Sequence, residues 1–251
     1  MDLKLKGLRV FVAGSSRGIG LGMVKAFLRE GCIVVANGRD SNSLRQSLLG
    51  LENCFGVVGD VTDPIQARES VNSAVKLLGG IDILICNVGS GSSVSPGKET
   101  HEDWVEMLSV NFLSATNIVE AAKDELKKSK GVVVCISSIC GSEVIPGAPV
   151  TYSVAKAALN AYIRGMSRPF ALDRVRINGI APGNILFDGS VWDKKSESDP
   201  AIVAELLEEN VPLKKFGTTE DVSNLALWLS SPVSSFVTGT VYTTDGGQTR
   251  C

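Results

Sequence analysis

The sequence predicts an α/β fold: a three-layer doubly wound parallel sheet of seven strands, with helices on both faces. Short apolar runs bounded by Gly, Asn or Asp alternate with stretches of helical periodicity along the 251 residues. Strand, helix and strand repeated this regularly require parallel pairing and right-handed crossovers. The central runs are continuous in Val, Ile and Leu, as strands covered on both faces must be. No Gly/Ser linker, composition break or internal repeat interrupts the pattern, so residues 1–251 are expected to form one domain.

The first strand, 8–13, runs straight into Gly14-Ser15-Ser16-Arg17-Gly18-Ile19-Gly20, and a helix over 18–30 follows. Glycines there let the backbone turn tightly and approach a pyrophosphate, while the helix start presents free N–H groups and partial positive charge. A plain strand-to-helix turn would use the same glycines. Their place after the first strand of a repeating β/α pattern points to dinucleotide binding, the Rossmann arrangement. The second strand, 32–36, leads into Asn37-Gly38-Arg39. An acid at this strand end would hydrogen-bond the ribose and repel a 2′-phosphate; a guanidinium suits that phosphate. Arg17 reaches toward the same place, so NADP(H) is the expected cofactor, and Asp40, one position later, keeps NAD(H) as the lesser alternative. A helix over 41–49, a strand over 54–58, a helix over 64–78 and a strand over 81–86 complete the first half.

One long helix is expected over 102–128, with Asn111 inside it, where asparagine is a disfavoured residue. A strand over 132–136 ends in Ser137-Ser138, and a helix over 151–172 carries Tyr152 and Lys156, four residues apart on one face. A free phenol has a pKa of about 10, roughly three units too high for acid–base work at neutral pH. A nearby cation lowers it. The spacing therefore predicts a Tyr152 acidified by Lys156 that gives a proton to a carbonyl oxygen as hydride reaches carbon. A half-buried tyrosine beside a snorkelling lysine would show the same spacing. Strands over 175–180 and 240–243 and a helix over 220–229 finish the pattern. The irregular stretch 184–216, with an amphipathic segment at 202–209, is expected to place a substrate lid at about 186–211. Phe187 and Trp192 either line a pocket there or pack the lid on the body.

Composition narrows the function classes. A net charge of -2 argues against nucleic acid, whose phosphates need a basic surface. No run approaches the ~18 apolar residues of a membrane span, and the first nine residues hold no signal-like apolar core, so a cytoplasmic protein is expected. Six cysteines without CxxC spacing read as free thiols. One histidine, His101, excludes a His-rich metal site, and no metal is expected. A mean hydropathy of +0.17 hints at an apolar face buried against a second subunit.

These motifs, in this order, resemble the single-domain branch of the short-chain dehydrogenase/reductase family, and are similar to its 3-oxoacyl-carrier-protein reductases. Ala13 stands where the family's glycine loop usually has Thr, and Cys86 replaces the first Asn of its Asn-Asn-Ala-Gly, here Asn87-Val88-Gly89. The resemblance implies that Ser138 hydrogen-bonds the substrate oxygen, with Ser137 as the alternative donor. It implies that Lys156 binds the nicotinamide ribose and that Asn111 holds a helix irregularity and a proton-carrying water. Asp60-Val61 would contact adenine, and Pro182-Gly183-Asn184-Ile185 would pass the nicotinamide amide, with Ile185 as a main-chain contact. Phe187 takes the place of a customary hydroxyl residue. The implied activity is hydride transfer between nicotinamide and a small-molecule carbonyl/alcohol pair, in the reductive direction, by a homo-oligomer (dimer or tetramer). Candidate substrates are a 3-oxoacyl thioester, a sugar, a steroid or another ketone. A catalytically silent regulatory protein is the alternative; an epimerase of the family's longer branch would need a further substrate domain. Lys127, Lys128 and Lys130 either dock an acidic carrier protein or complement a helix C-terminus.

Overall fold

A computed structural model describes residues 2–250; Cys251, grouped above with the free thiols, lies outside the described residues. Seven parallel strands form the central sheet: β1 (Arg9–Ala13), β2 (Ile33–Gly38), β3 (Cys54–Val58), β4 (Ile83–Cys86), β5 (Val132–Ile136), β6 (Arg176–Pro182) and β9 (Val241–Thr244). Their order is β3-β2-β1-β4-β5-β6-β9. The chain thus winds outward from β1 in one direction and then, from β4, in the other. The strand ends diverge at that reversal, and the crevice beyond the carboxyl ends of β1 and β4 is where ligands of such sheets bind.

One face of the sheet is covered by α3 (Pro64–Leu78), α5 (Ser114–Ser129) and α6 (Val150–Leu172). The other is covered by α1 (Gly18–Arg29) and α9 (Thr219–Ser230). Alternate residues of each strand feed the two cores: Phe11, Val35 and Leu84 go to the first, Val10, Val12 and Val34 to the second. The helix ends follow local chemistry. Asp63 caps α3 by accepting the Ile65 and Gln66 N–H groups, with Pro64 at the first helical position. Thr218 and Asp221 form a reciprocal capping box at the start of α9.

The expected long helix 102–128 is two helices, α4 (His101–Leu108) and α5, joined by a π-helical turn at Ser109–Leu113 that contains Asn111. The irregular region is also more ordered than its composition suggests. It holds α7 (Val191–Ser198), α8 (Pro200–Asn210) and a small parallel pair, β7 (Ile185–Leu186) with β8 (Gly217–Thr218). This pair ties both ends of the segment next to the carboxyl end of β6, and so over the crevice. The remaining helix, α2 (Ser41–Ser47), lies beside β2 and β3.

Candidate active site

A cleft of about 760 Å³ opens at the crevice, within the size of typical small-ligand sites (~300–1,000 Å³). Its floor is the glycine loop between β1 and α1. Gly18 has φ +56, and a Cβ there would fall 2.6 Å from the Phe187 ring, so only glycine fits both the backbone and its neighbour. Asn87 closes the loop from behind by donating from Nδ2 to the Gly14 carbonyl at 2.8 Å. Gly14, Ser16, Arg17, Gly18 and Ile19 line the cleft, but Ser15 and Gly20 do not. Ser15 is fully buried, with its N–H and hydroxyl spent on the Asn37 and Val12 carbonyls. A Cβ on Gly20 would strike the Gly14 carbonyl and the Asn87 amide. Both residues shape the loop from inside.

Beside the loop lies a shallower depression lined by Ser16, Arg17, Arg39, Asp40, Ser43 and Gln46. Asp40 lines this depression, and its carboxylate accepts the Ser43 N–H at 2.7 Å as the cap of α2. Those hydrogen bonds hold it below the usual carboxylate range. Arg39, with an exposed side chain, lies 3.5 Å from Asp60. Burial opposes ionisation of Asp60, but the Thr62 hydrogen bonds and Arg39 together keep its pKa low. Asn117, passed over in the sequence, donates to the Val61 and Thr62 carbonyls and so fixes this rim.

At the other end stand Ser138, Tyr152 and Lys156, all lining the cleft together with Asn87, Gly89, Pro182, Gly183 and Ile185. The second serine is the available one. Ser137 donates to Asn160 Oδ1 at 2.5 Å, whereas Ser138 accepts the Cys140 N–H and hydrogen-bonds the Tyr152 phenol in the cleft. Asn160 also donates to the Gly141 carbonyl, which anchors the turn after β5. It sits four residues beyond Lys156 on the same helix face, so the Tyr152, Lys156, Asn160 spacing carried a signal that was missed. Asn111 is fully buried behind the wall. Its side chain accepts the Ser90 N–H and donates to the Ser90 and Met107 carbonyls, bracing the loop after β4 against the π turn.

Burial dominates the electrostatics of Tyr152 and Lys156. Burial pushes the phenol up to about 12, opposed by a hydrogen bond from Ser138. Burial likewise draws Lys156 down to about 8. The ammonium donates to the Ile136 carbonyl at 2.8 Å and lies 5.9 Å from the centre of the Tyr152 ring. Desolvation is the largest influence on both side chains.

The cleft suits a dinucleotide. Glycine-loop backbone lines one end, and Gly89 packs so closely on the wall that a Cβ there would come within 2.9 Å of Asn111 Oδ1 and 3.1 Å of Lys156 Nζ. A family model described as enoyl-(acyl carrier protein) reductase matches residues 13–249. The chain belongs to the short-chain dehydrogenase/reductase family. Its oxidoreductases act on CH–OH/C=O groups of small molecules with a nicotinamide cofactor. The chain is 32% identical to the 3-oxoacyl-[acyl-carrier-protein] reductase of Chlamydia pneumoniae, over 99% of this chain and 100% of the relative. The solved L-sorbose reductase from Gluconobacter frateurii, complexed with NADPH and L-sorbose, superposes with a TM-score of 0.93 at 26% identity over the whole of both chains. A 7α-hydroxysteroid dehydrogenase complexed with NADH and 7-oxo glycochenodeoxycholic acid gives 0.90 at 25% identity, over 100% of this chain and 97% of that one. These short-chain dehydrogenase/reductase relatives span thioester, sugar and steroid names and both cofactors. No helix among the described residues is long and apolar enough to cross a membrane.

Proposed function

We propose that this protein is an NADP(H)-dependent carbonyl reductase. One observation carries the reading: a protonated phenol, Tyr152, is hydrogen-bonded to the Ser138 hydroxyl in the cleft that the glycine loop and Arg17 line from the other end. A bound reduced nicotinamide would supply the hydride. Tyr152, held protonated at neutral pH, gives its proton to the substrate oxygen, while Ser138 donates a hydrogen bond that polarises the same oxygen. Lys156, anchored on the Ile136 carbonyl, binds the ribose and offers positive charge as the phenol ionises. At neutral pH the phenol is in its protonated form, the form from which a reductive step draws its proton.

The residues proposed to hold the cofactor are Gly14 and Ser16 to Ile19 of the loop, Arg39, Asp60 with Val61, Asn87 with Gly89, and Pro182, Gly183 and Ile185. Ser15, Gly20 and Asn111 act by positioning. Selectivity for NADP(H) rests on Arg17 and Arg39 at the depression beside the loop and on the engagement of Asp40 as a helix cap. The segment at about 186–211 acts as the lid of a single domain. Phe187 and Trp192 line the cleft, and Trp192 also packs on Phe216 with ring centres 5.5 Å apart, so both readings of the pair have support. Exposed Val105, Leu113, Val150 and Val154, on α4, the π turn and α6, support a homo-oligomer. Lys127 and Lys128 pair with Asp173 and Glu125, which favours a helix-end role over carrier-protein docking. The reducing cytoplasm is the proposed setting. The test is NADPH oxidation with a panel of acyl thioesters, sugars and ketones. The reading expects turnover with one class; NADPH binding without any turnover would favour the silent regulatory alternative.

A further inference from the structure

The carboxyl ends of the strands hold more positive charge than the chemistry at Tyr152 uses. Arg17, Arg39, Lys156, Lys194 and Lys195 line the cleft against one carboxylate, Asp60. Arg39 has Asp60 as its partner and Lys156 is bound to the Ile136 carbonyl. Among the described residues Arg17, Lys194 and Lys195 have no carboxylate within 4.0 Å. The acid nearest in sequence is diverted: Asp193 Oδ2 accepts the Gly189 N–H at 2.7 Å. Three unpaired cations around one cleft repel one another unless an anion sits among them, and a walled cleft focuses their field.

The segment before α7 fixes where that anion lies. The Phe187 ring closes on Gly18, and a Cβ on Gly189 would come within 3.9 Å of Arg17 Nη1, so this stretch passes over the glycine loop. Phe187 itself offers no hydrogen bond to a phosphate there. Lys195 is held over the Trp192 ring at 5.0 Å, and Trp192 is braced by Phe216, which limits the freedom its ammonium must lose on binding.

We propose that Lys194 and Lys195 form a cationic clamp that grips the diphosphate of the nucleotide from the side opposite the glycine-loop backbone, next to Arg17, which faces the 2′-phosphate. The clamp rests on the cofactor reading given above and adds a role for α7 in binding it. The lysines lie on an exposed helix, so Gln is accommodated without loss of fold.

The test is an equilibrium titration of the wild type and the Lys194→Gln/Lys195→Gln double variant, with NADPH and with adenosine 2′-monophosphate, which lacks the diphosphate. NADPH binding by the double variant should weaken by about three- to tenfold per lysine, with a flatter salt dependence. Adenosine 2′-monophosphate should bind within about twofold of wild type, and the Lys194→Arg/Lys195→Arg variant should restore NADPH binding. Unchanged NADPH affinity in the double variant overturns the clamp, including the case where substrate KM rises instead and the lysines face an anionic substrate. Equal weakening of both nucleotides overturns the assignment to the diphosphate. A wild type that binds no nicotinamide nucleotide at all overturns the cofactor reading itself, and is told apart by that control.

Discussion

Burial sets the chemistry of individual residues at this site. Lys156 pays for its position: a pKa drawn from 10.5 to about 8 means that the folded protein holds this proton less tightly than the unfolded chain. The cost is fully present below pH 8, and stability from this group rises between pH 8 and 10.5, where only the unfolded chain is protonated. Lys156→Met should therefore raise stability at pH 7 by about 1–3 kcal/mol, with the advantage shrinking toward pH 10.5, while turnover is lost. Denaturant titrations at the two pH values measure this; a variant less stable than wild type at pH 7 would refute the buried-charge account. In the working enzyme, reduction should fade as pH rises through about 8, when Lys156 gives up its charge. Arg39→Asp should turn cofactor preference toward NADH by at least about tenfold, since a carboxylate there repels a 2′-phosphate. An unchanged preference in competition assays would remove Arg39 from selectivity. The chemistry-bearing residues were legible because their spacing is local: Tyr152 and Lys156 share a helix face, and the glycines follow a strand. Their electrostatics were not, because desolvation depends on what the fold packs around a side chain.

At the scale of elements, polar side chains buried between secondary structures hold the site in register. Asn160 links α6 to the turn after β5 through Ser137 and the Gly141 carbonyl. Asn160→Ala would leave those groups unpaired in a buried setting and should cost about 1–3 kcal/mol. It should also lower kcat more than it raises KM, because Ser138 on that turn would lose its place. A stability loss with normal kcat would confine Asn160 to the fold. The strands were easy to read, since burial on both faces leaves continuous apolar runs such as 132–136. The break at Ser109–Leu113 was not: its residues keep helical spacing, and the π turn is set by Asn111 bonding to Ser90 across the fold. The small β7–β8 pair joins residues some thirty apart through two register positions, too few to leave a periodic signal.

For the whole molecule, the reversal of winding between β1 and β4 places the glycine loop at one end of the cleft and Tyr152 at the other. The same framework serves relatives named for a 3-oxoacyl carrier protein, a sugar and a steroid, which is why the proposed lid, where Phe187 and Trp192 line the cleft, is assigned the choice of substrate in this proposal. That segment was the part of the sequence with least pattern, and its two helices are short, exposed and bounded by local caps. The central claim is that Tyr152 supplies the proton. Its most direct test is a side-by-side measurement of NADPH affinity and single-turnover reduction for Tyr152→Phe. The account predicts affinity within about twofold of wild type and a rate at least ~10³-fold lower, in the range of losing a general acid. A variant that reduces substrate at the wild-type rate would contradict it.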